Sequence, residues 1–171
     1  MKKLILIAVM AVLSTTAQAK DLFSQEKHPQ AYCLALNIYY ESRGSNLADQ
    51  AAVADVVMNR VEDTRYPNTI CDVVYQGVQK PSWKDPTKMV MVRNKCQFSW
   101  YCDGKKDEPD FDSRTWRLAL AHASILITER IVLDVTEGAT HYHATYVRPE
   151  WAKTKTKTTR IDKHIFYRWE K

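Results

Sequence analysis

Apolar residues recur at helical spacing in three stretches of the chain. In Ala31-Tyr32-Cys33-Leu34-Ala35-Leu36-Asn37-Ile38, positions Ala31, Leu34/Ala35 and Ile38 share one helical face, uninterrupted by proline or glycine. Pro29 suits the first turn of such a helix and Gly44 marks its expected stop. A second helix is predicted from about Asn46 to Glu62, with Leu47, Ala51, Ala54, Met58 and Val61 at helical spacing and Ser45 or Asn46 as its cap. Ala51, Ala52 and Ala54 would let it approach the first helix closely. Pro67 closes this region, and Thr69 is placed to cap a short helix through Tyr75. Residues 76–110 contain Gly77, Pro81, Pro86, Gly104 and Pro109 and read mainly as loop, with a short helix near Pro86 to Asn94. Such a long loop region in a compact domain is usually functional. A third long helix should start after Asp112 or Ser113 and reach about Ile131, presenting Trp116, Leu120, Ala123 and Ile127 on one face. Beyond Gly138, His141-Tyr142-His143 and Ile165-Phe166-Tyr167 alternate as strands do, joined through Lys153 to Arg160. No internal repeat or second-domain linker is visible. The pattern predicts one α+β domain over residues 30–171, a mainly helical body with a small antiparallel sheet in its C-terminal part, preceded by a polar lead segment, 20–29.

The first nineteen residues have the three parts of a secretory signal: Lys2 and Lys3, the apolar run Leu4 to Leu13, and the small-residue site Ala17-Gln18-Ala19. A retained anchor is the alternative, but the run is short for a bilayer span. Export to the periplasm, the extracellular space or the cell wall is therefore expected, without a stable membrane anchor. Two of the +5 formal charges leave with the signal. The mild excess that remains suits anionic surroundings and is too small to indicate a nucleic-acid partner. Four cysteines in an exported chain imply disulfides, for which three pairings exist. Cys33–Cys71 would tie the first helix to the segment after the second, and Cys96–Cys102 would close a short loop around Gln97 to Tyr101. A zinc site on these cysteines would want a Cys-x2-Cys pair, which the spacing lacks.

Tyr39-Tyr40-Glu41-Ser42-Arg43-Gly44 places one carboxylate in the last turn of the first helix. The negative end of the helix dipole and adjacent aromatic rings both disfavour its charged form and raise its pKa. A carboxylic acid that stays protonated near neutral pH is what a general acid for glycosidic cleavage requires. The alternative is an ordinary solvated residue at a helix end.

Asn37-Ile38-Tyr39-Tyr40-Glu41-Ser42-Arg43-Gly44, the block from Gln50 to Val61, Cys96-Gln97-Phe98-Ser99-Trp100, and Ala144 to Lys153 with Ile161 to Tyr167 follow one another in a recognisable order. Together they resemble the SleB/CwlJ family of cell-wall hydrolases across nearly everything from residue 30 onward. The chain departs from that pattern at Ser42, Ser45 and Lys95-Cys96. The resemblance implies a lysozyme-like fold, Glu41 as the catalytic residue, and peptidoglycan glycan strands as the partner. It implies cleavage of the MurNAc-GlcNAc β-1,4 bond by a lytic transglycosylase. In that mechanism a single glutamate protonates the leaving oxygen and then deprotonates the C6 hydroxyl, forming 1,6-anhydroMurNAc. No cofactor is needed, and a monomer suffices. A muramidase would need a second carboxylate. Asp55, Asp103, Asp134 and Glu137 are available, but none sits in a block that can be put beside Glu41.

Gln97 and Ser99 carry amide and hydroxyl groups suited to N-acetyl and sugar hydroxyl groups, and the neighbouring aromatic faces could pack on sugar rings. The alternative makes Phe98 and Trp100 core residues and Gln97 a loop cap. Tyr40 and Tyr142 are candidate walls of the cleft, and Tyr142 could orient Glu41 or the sugar. His141 and His143 project together from their strand, opposite Tyr142, and would then turn away from the cleft. With His122 or His164 they could instead bind zinc, as an amidase would require. A non-catalytic wall-binding module is a third reading. Lys153, Lys155 and Lys157 alternate with threonines, which on a hairpin would put the lysines on one solvated face.

Overall fold

Pro29 in the first turn and Gly44 in a left-handed backbone (φ +80°) bracket the central helix α1, Pro29–Ser42. The computed structural model describes residues 24–129, 131 and 134–170. The expected export signal over residues 1–19 and the first part of the lead segment lie outside the described residues. α1 is buried on nearly every side, through Ala31, Cys33, Leu34, Ala35, Leu36, Ile38 and Tyr39. It packs on α2 (Leu47–Glu62), α3 (Ile70–Val74) and, most extensively, α4 (Arg114–Thr128). Asn46, Thr69 and Ser113 cap these three helices by accepting from the backbone N–H of Asp49, Asp72 and Trp116, as short polar side chains at that position do. Trp116 meets Tyr32 and Tyr39 edge to face at 5.4 and 5.9 Å, locking α4 against α1. Cys33 is joined to Cys71 and Cys96 to Cys102.

The region 76–110 differs from the loop and short helix predicted for it. β1 (Gly77–Pro81) and β2 (Met89–Cys96) form an antiparallel hairpin, with Lys80 opposite Val90 and Pro81 opposite Met89. Most residues on both strands are exposed, so no apolar-polar alternation announces them, and the prolines sit at the strand end and the turn rather than inside a ladder. A single 3₁₀ turn, Ser99–Cys102, follows β2 and brings Trp100 into the core.

The C-terminal sheet runs in the order β3-β5-β4, all antiparallel, from β3 (His141–Ala144), β4 (Thr156–Ile161) and β5 (His164–Arg168). The lysine-threonine run is not one hairpin face. Lys153 lies in a second 3₁₀ turn, Glu150–Thr154, and pairs with Glu150 at 2.8 Å, while Lys155 precedes the strand and sits 4.4 Å from the Trp169 ring centre. A bulge between Lys157 and Arg160 further breaks the alternation.

The polar face of α2 fixes where this sheet sits. Asp55 accepts from Asp134 N, Thr136 N and Thr136 Oγ1 at 3.1, 2.9 and 2.6 Å. Asn59 Nδ2 donates to Ala139 O at 3.0 Å, and Arg60 Nε to Thr140 O at 2.7 Å. The segment entering β3 is thus held by successive turns of one helix. Phe166 closes the apolar side against Ala52, Val56 and Ala139. Among the described residues no helix is long and apolar enough to cross a membrane.

Candidate active site

Glu41 lies in the last turn of α1, where its side chain reaches a cleft of about 540 Å³. Tyr40 and Trp100 stack on one another at 4.7 Å on one wall, beside Ser99. The loop after Cys102 supplies Asp103, Lys105, Asp107 and Glu108, and the turn after β3 supplies Tyr146 and Val147 opposite. Tyr142 Oη donates to Glu41 Oε2 at 3.0 Å. Burial, then the neighbouring Glu41 charge, push the Tyr142 pKa well above that of an ordinary tyrosine, so the phenol stays a donor. Its bond engages Oε2.

Burial raises the pKa of Glu41 above the usual glutamate value. The bond from Tyr142 and the charges of His164 and Arg60 act in the opposite direction without cancelling it. The carboxyl therefore holds its proton to higher pH than a solvated glutamate, yet its anion has three groups ready to stabilise it. That combination fits a group that gives up a proton and later takes one back.

Sequence reasoning did not single out Arg60, and it offered His164 only as a third zinc ligand, not as a neighbour of Glu41. Arg60 is only 4% exposed, its guanidinium lies 5.1 Å from the Phe98 ring centre, and its NH1 has no hydrogen-bond partner. It lines a second recess of about 190 Å³ with Glu41, Gln97, Ser99, His141 and Trp151. The signal was present in the spacing: Val53, Val57 and Arg60 share one buried helical face, and an arginine that ends such a stripe has a buried charge to answer. His164 Nδ1 bonds both oxygens of the buried Asp49 at 2.9 Å, and its ring packs edge-on to Tyr142 at 5.0 Å. No local pattern joins residues so far apart in the chain.

Gln97 and Ser99 both reach the site, Gln97 in the recess and Ser99 in the recess and the main cleft. Phe98 and Trp100 are core residues, as the alternative reading held, and Trp100 Nε1 donates to the buried Asn37 at 3.1 Å. The two strand histidines do not turn away from the site: His143 borders the cleft and His141 the recess, both against Trp151. Burial, then the charge of Arg60, push the His141 imidazole down to about 3, so it is neutral at physiological pH. His164 is engaged by Asp49 and His122 lies on α4; among the described residues no three His, Cys, Asp or Glu side chains form a group that could hold a metal ion. Asp55 is committed to the segment that carries Asp134, not to Glu41.

A candidate acid on a helix at the edge of a cleft, backed by a small antiparallel sheet, is a lysozyme-like arrangement. The profile described as Cell Wall Hydrolase matches residues 44–167, and the chain belongs to that family. The matched span begins just after Glu41. Among solved structures, the chain is similar to the catalytic domain of the germination-specific lytic transglycosylase SleB from Bacillus anthracis, with 26% identity and a TM-score of 0.57 over 81% of this chain and 93% of that one. It is also similar to the catalytic domain of the Bacillus cereus SleB protein, with 27% identity and a TM-score of 0.54 over 85% and 92% of the two chains. No curated protein matches it.

Proposed function

We propose that this chain is an exported lytic transglycosylase that cleaves the MurNAc-GlcNAc β-1,4 bond of peptidoglycan with Glu41 as its single acid and base. The observation that supports this most is the state of Glu41: a carboxyl on the cleft whose pKa burial raises, with Tyr142 donating to one oxygen. Its free oxygen protonates the glycosidic oxygen as the C1–O4 bond breaks, and the leaving GlcNAc departs as an alcohol. The sugar's acetamido group shields the positive charge at C1. The Glu41 carboxylate, steadied by Tyr142 and by the charges of Arg60 and His164, then removes the C6 hydroxyl proton. O6 closes on C1, and Glu41 regains the proton it gave up.

Tyr40, Ser99 and Gln97 are the proposed substrate contacts. The ring of Tyr40 offers a face to a sugar, and the hydroxyl of Ser99 and the amide of Gln97 suit N-acetyl and hydroxyl groups. Mass analysis of fragments from purified peptidoglycan tests the reading. The expected muramic ends are 1,6-anhydro and carry no oxygen from labelled water. Reducing ends that are one water heavier and labelled would make the enzyme a muramidase, with Asp103, Asp107 or Glu108 of the same cleft as the partner carboxylate.

A further inference from the structure

The β1–β2 hairpin has no part in the chemistry above, and its surface is unlike the rest of the chain. Between Gly77 and Cys96 it carries Lys80, Lys84, Lys88, Arg93 and Lys95 against one acid, Asp85, in a chain whose formal charge is only +5 overall. Its outer half is also apolar: Trp83 at the tip is 87% exposed, and Met89 and Val90 beside it are 56% and 40% exposed. The tip is nevertheless ordered. Ser82 N donates to Lys88 O at 2.8 Å, and the Asp85 carboxylate accepts from the Thr87 backbone and hydroxyl at 3.2 and 2.6 Å. Asp85 also pairs with Lys88 at 3.4 Å, so the one acid is spent inside the turn. Lys84 Nζ stands 5.3 Å from the Trp83 ring centre, so the exposed indole has a cation beside it.

We propose that this hairpin docks the enzyme reversibly on an anionic lipid bilayer, with Trp83 in the headgroup layer and Lys80, Lys84 and Lys88 against acidic headgroups. An exposed amphipathic indole beside a lysine, on a hairpin end rich in lysines, is the chemistry that membrane–water interfaces select. Anionic wall polymers would answer the lysines but give no use to Trp83, Met89 and Val90. The base of the hairpin is tied by Cys96–Cys102 to the 3₁₀ turn that carries Ser99 into the cleft. Docking there would hold the cleft at a fixed distance from the membrane and favour the wall strands nearest to it.

Residues 20–171 contain the whole described fold and exclude the apolar run Leu4 to Leu13, which would bind vesicles by itself. Co-sedimentation of this chain with phosphatidylglycerol-rich vesicles should show binding that weakens with salt, and vesicles of phosphatidylcholine alone should retain little. Lys80→Gln, Lys84→Gln and Lys88→Gln together should weaken binding about a hundredfold, from the usual contribution of a lysine near an anionic surface. Trp83→Ala should weaken it about tenfold, as loss of one interfacial aromatic side chain. Circular dichroism of both variants should match the parent, since every altered side chain is exposed. Equal binding to the two vesicle types, or variants that bind as the parent does, would overturn the proposal. Loss of pelleting with purified peptidoglycan in the variants, with vesicle binding unchanged, would assign the hairpin to the wall instead.

Discussion

The segment entering β3 and the first residue of β5 are pinned to α2 by buried hydrogen bonds, and Phe166 packs beneath them, whereas β1 and β2 stand out with both faces largely in solvent. The two regions use the same secondary structure for opposite purposes. The first holds Tyr142 against Glu41 at hydrogen-bond distance, which demands a rigid support reaching back into α2. The second needs little support beyond its own pairing, because what it offers is its surface. Burial therefore tracks the kind of work each region does: positioning a proton in one, presenting charge and an indole in the other.

The disulfides offer the strongest way to sharpen that contrast. Cys33–Cys71 closes a separation of 38 residues within the helical core and Cys96–Cys102 one of 6 at the hairpin base. Chain-entropy reasoning assigns them about 4 and about 2 kcal/mol. Thermal unfolding of Cys33→Ser/Cys71→Ser should thus show a drop about twice that of Cys96→Ser/Cys102→Ser; equal drops would mean that the core does not depend on its staple. Asp55→Ala comes next. It strips the acceptor from Asp134 N and from both Thr136 donors, which should cost about 3 kcal/mol. Because that segment delivers β3, denaturant unfolding should weaken and activity should fall with it. An unchanged midpoint would show that Asn59, Arg60 and Phe166 seat the sheet without it.

Much of this architecture was legible in the sequence because burial leaves a periodic trace. α1, α2 and α4 read clearly from their apolar spacing; the sequence offered Ser45 or Asn46, Thr69, and Asp112 or Ser113 as starts, and Asn46, Thr69 and Ser113 cap α2, α3 and α4. Glu41 could be picked out only as a candidate: its place in the last turn of an apolar helix left an acid and an ordinary solvated residue both open, and the resemblance of the blocks around it favoured the acid. The β1–β2 hairpin was not legible, since two exposed faces erase the period-two signal and Pro81 and Pro86 suggest loop. His164 and Asp49 were not, because their meaning lies in a contact across 115 positions of chain. Arg60 lay between these cases: its place on a buried stripe could be read, but the recess it lines could not.

Tyr142→Phe should have a smaller effect, lowering activity about tenfold through the loss of one hydrogen bond to the acid. Its pH profile carries more information than its rate. In the proposed mechanism activity requires protonated Glu41, so it should fall as pH rises through the raised pKa of that group. The Tyr142 bond lowers that pKa, so removing it should move the alkaline limb to higher pH. A limb that stays in place would make Tyr142 a packing residue only.

The central claim is that Glu41 carries the chemistry, and Glu41→Gln tests it most directly. The exchange keeps the size and shape of the side chain, so circular dichroism and thermal unfolding should report an intact fold. Release of soluble fragments from purified peptidoglycan should fall by about 10²–10⁴-fold, the usual loss for a positioned proton-transfer group. A folded Glu41→Gln protein that still solubilises peptidoglycan at the parent rate would contradict the account.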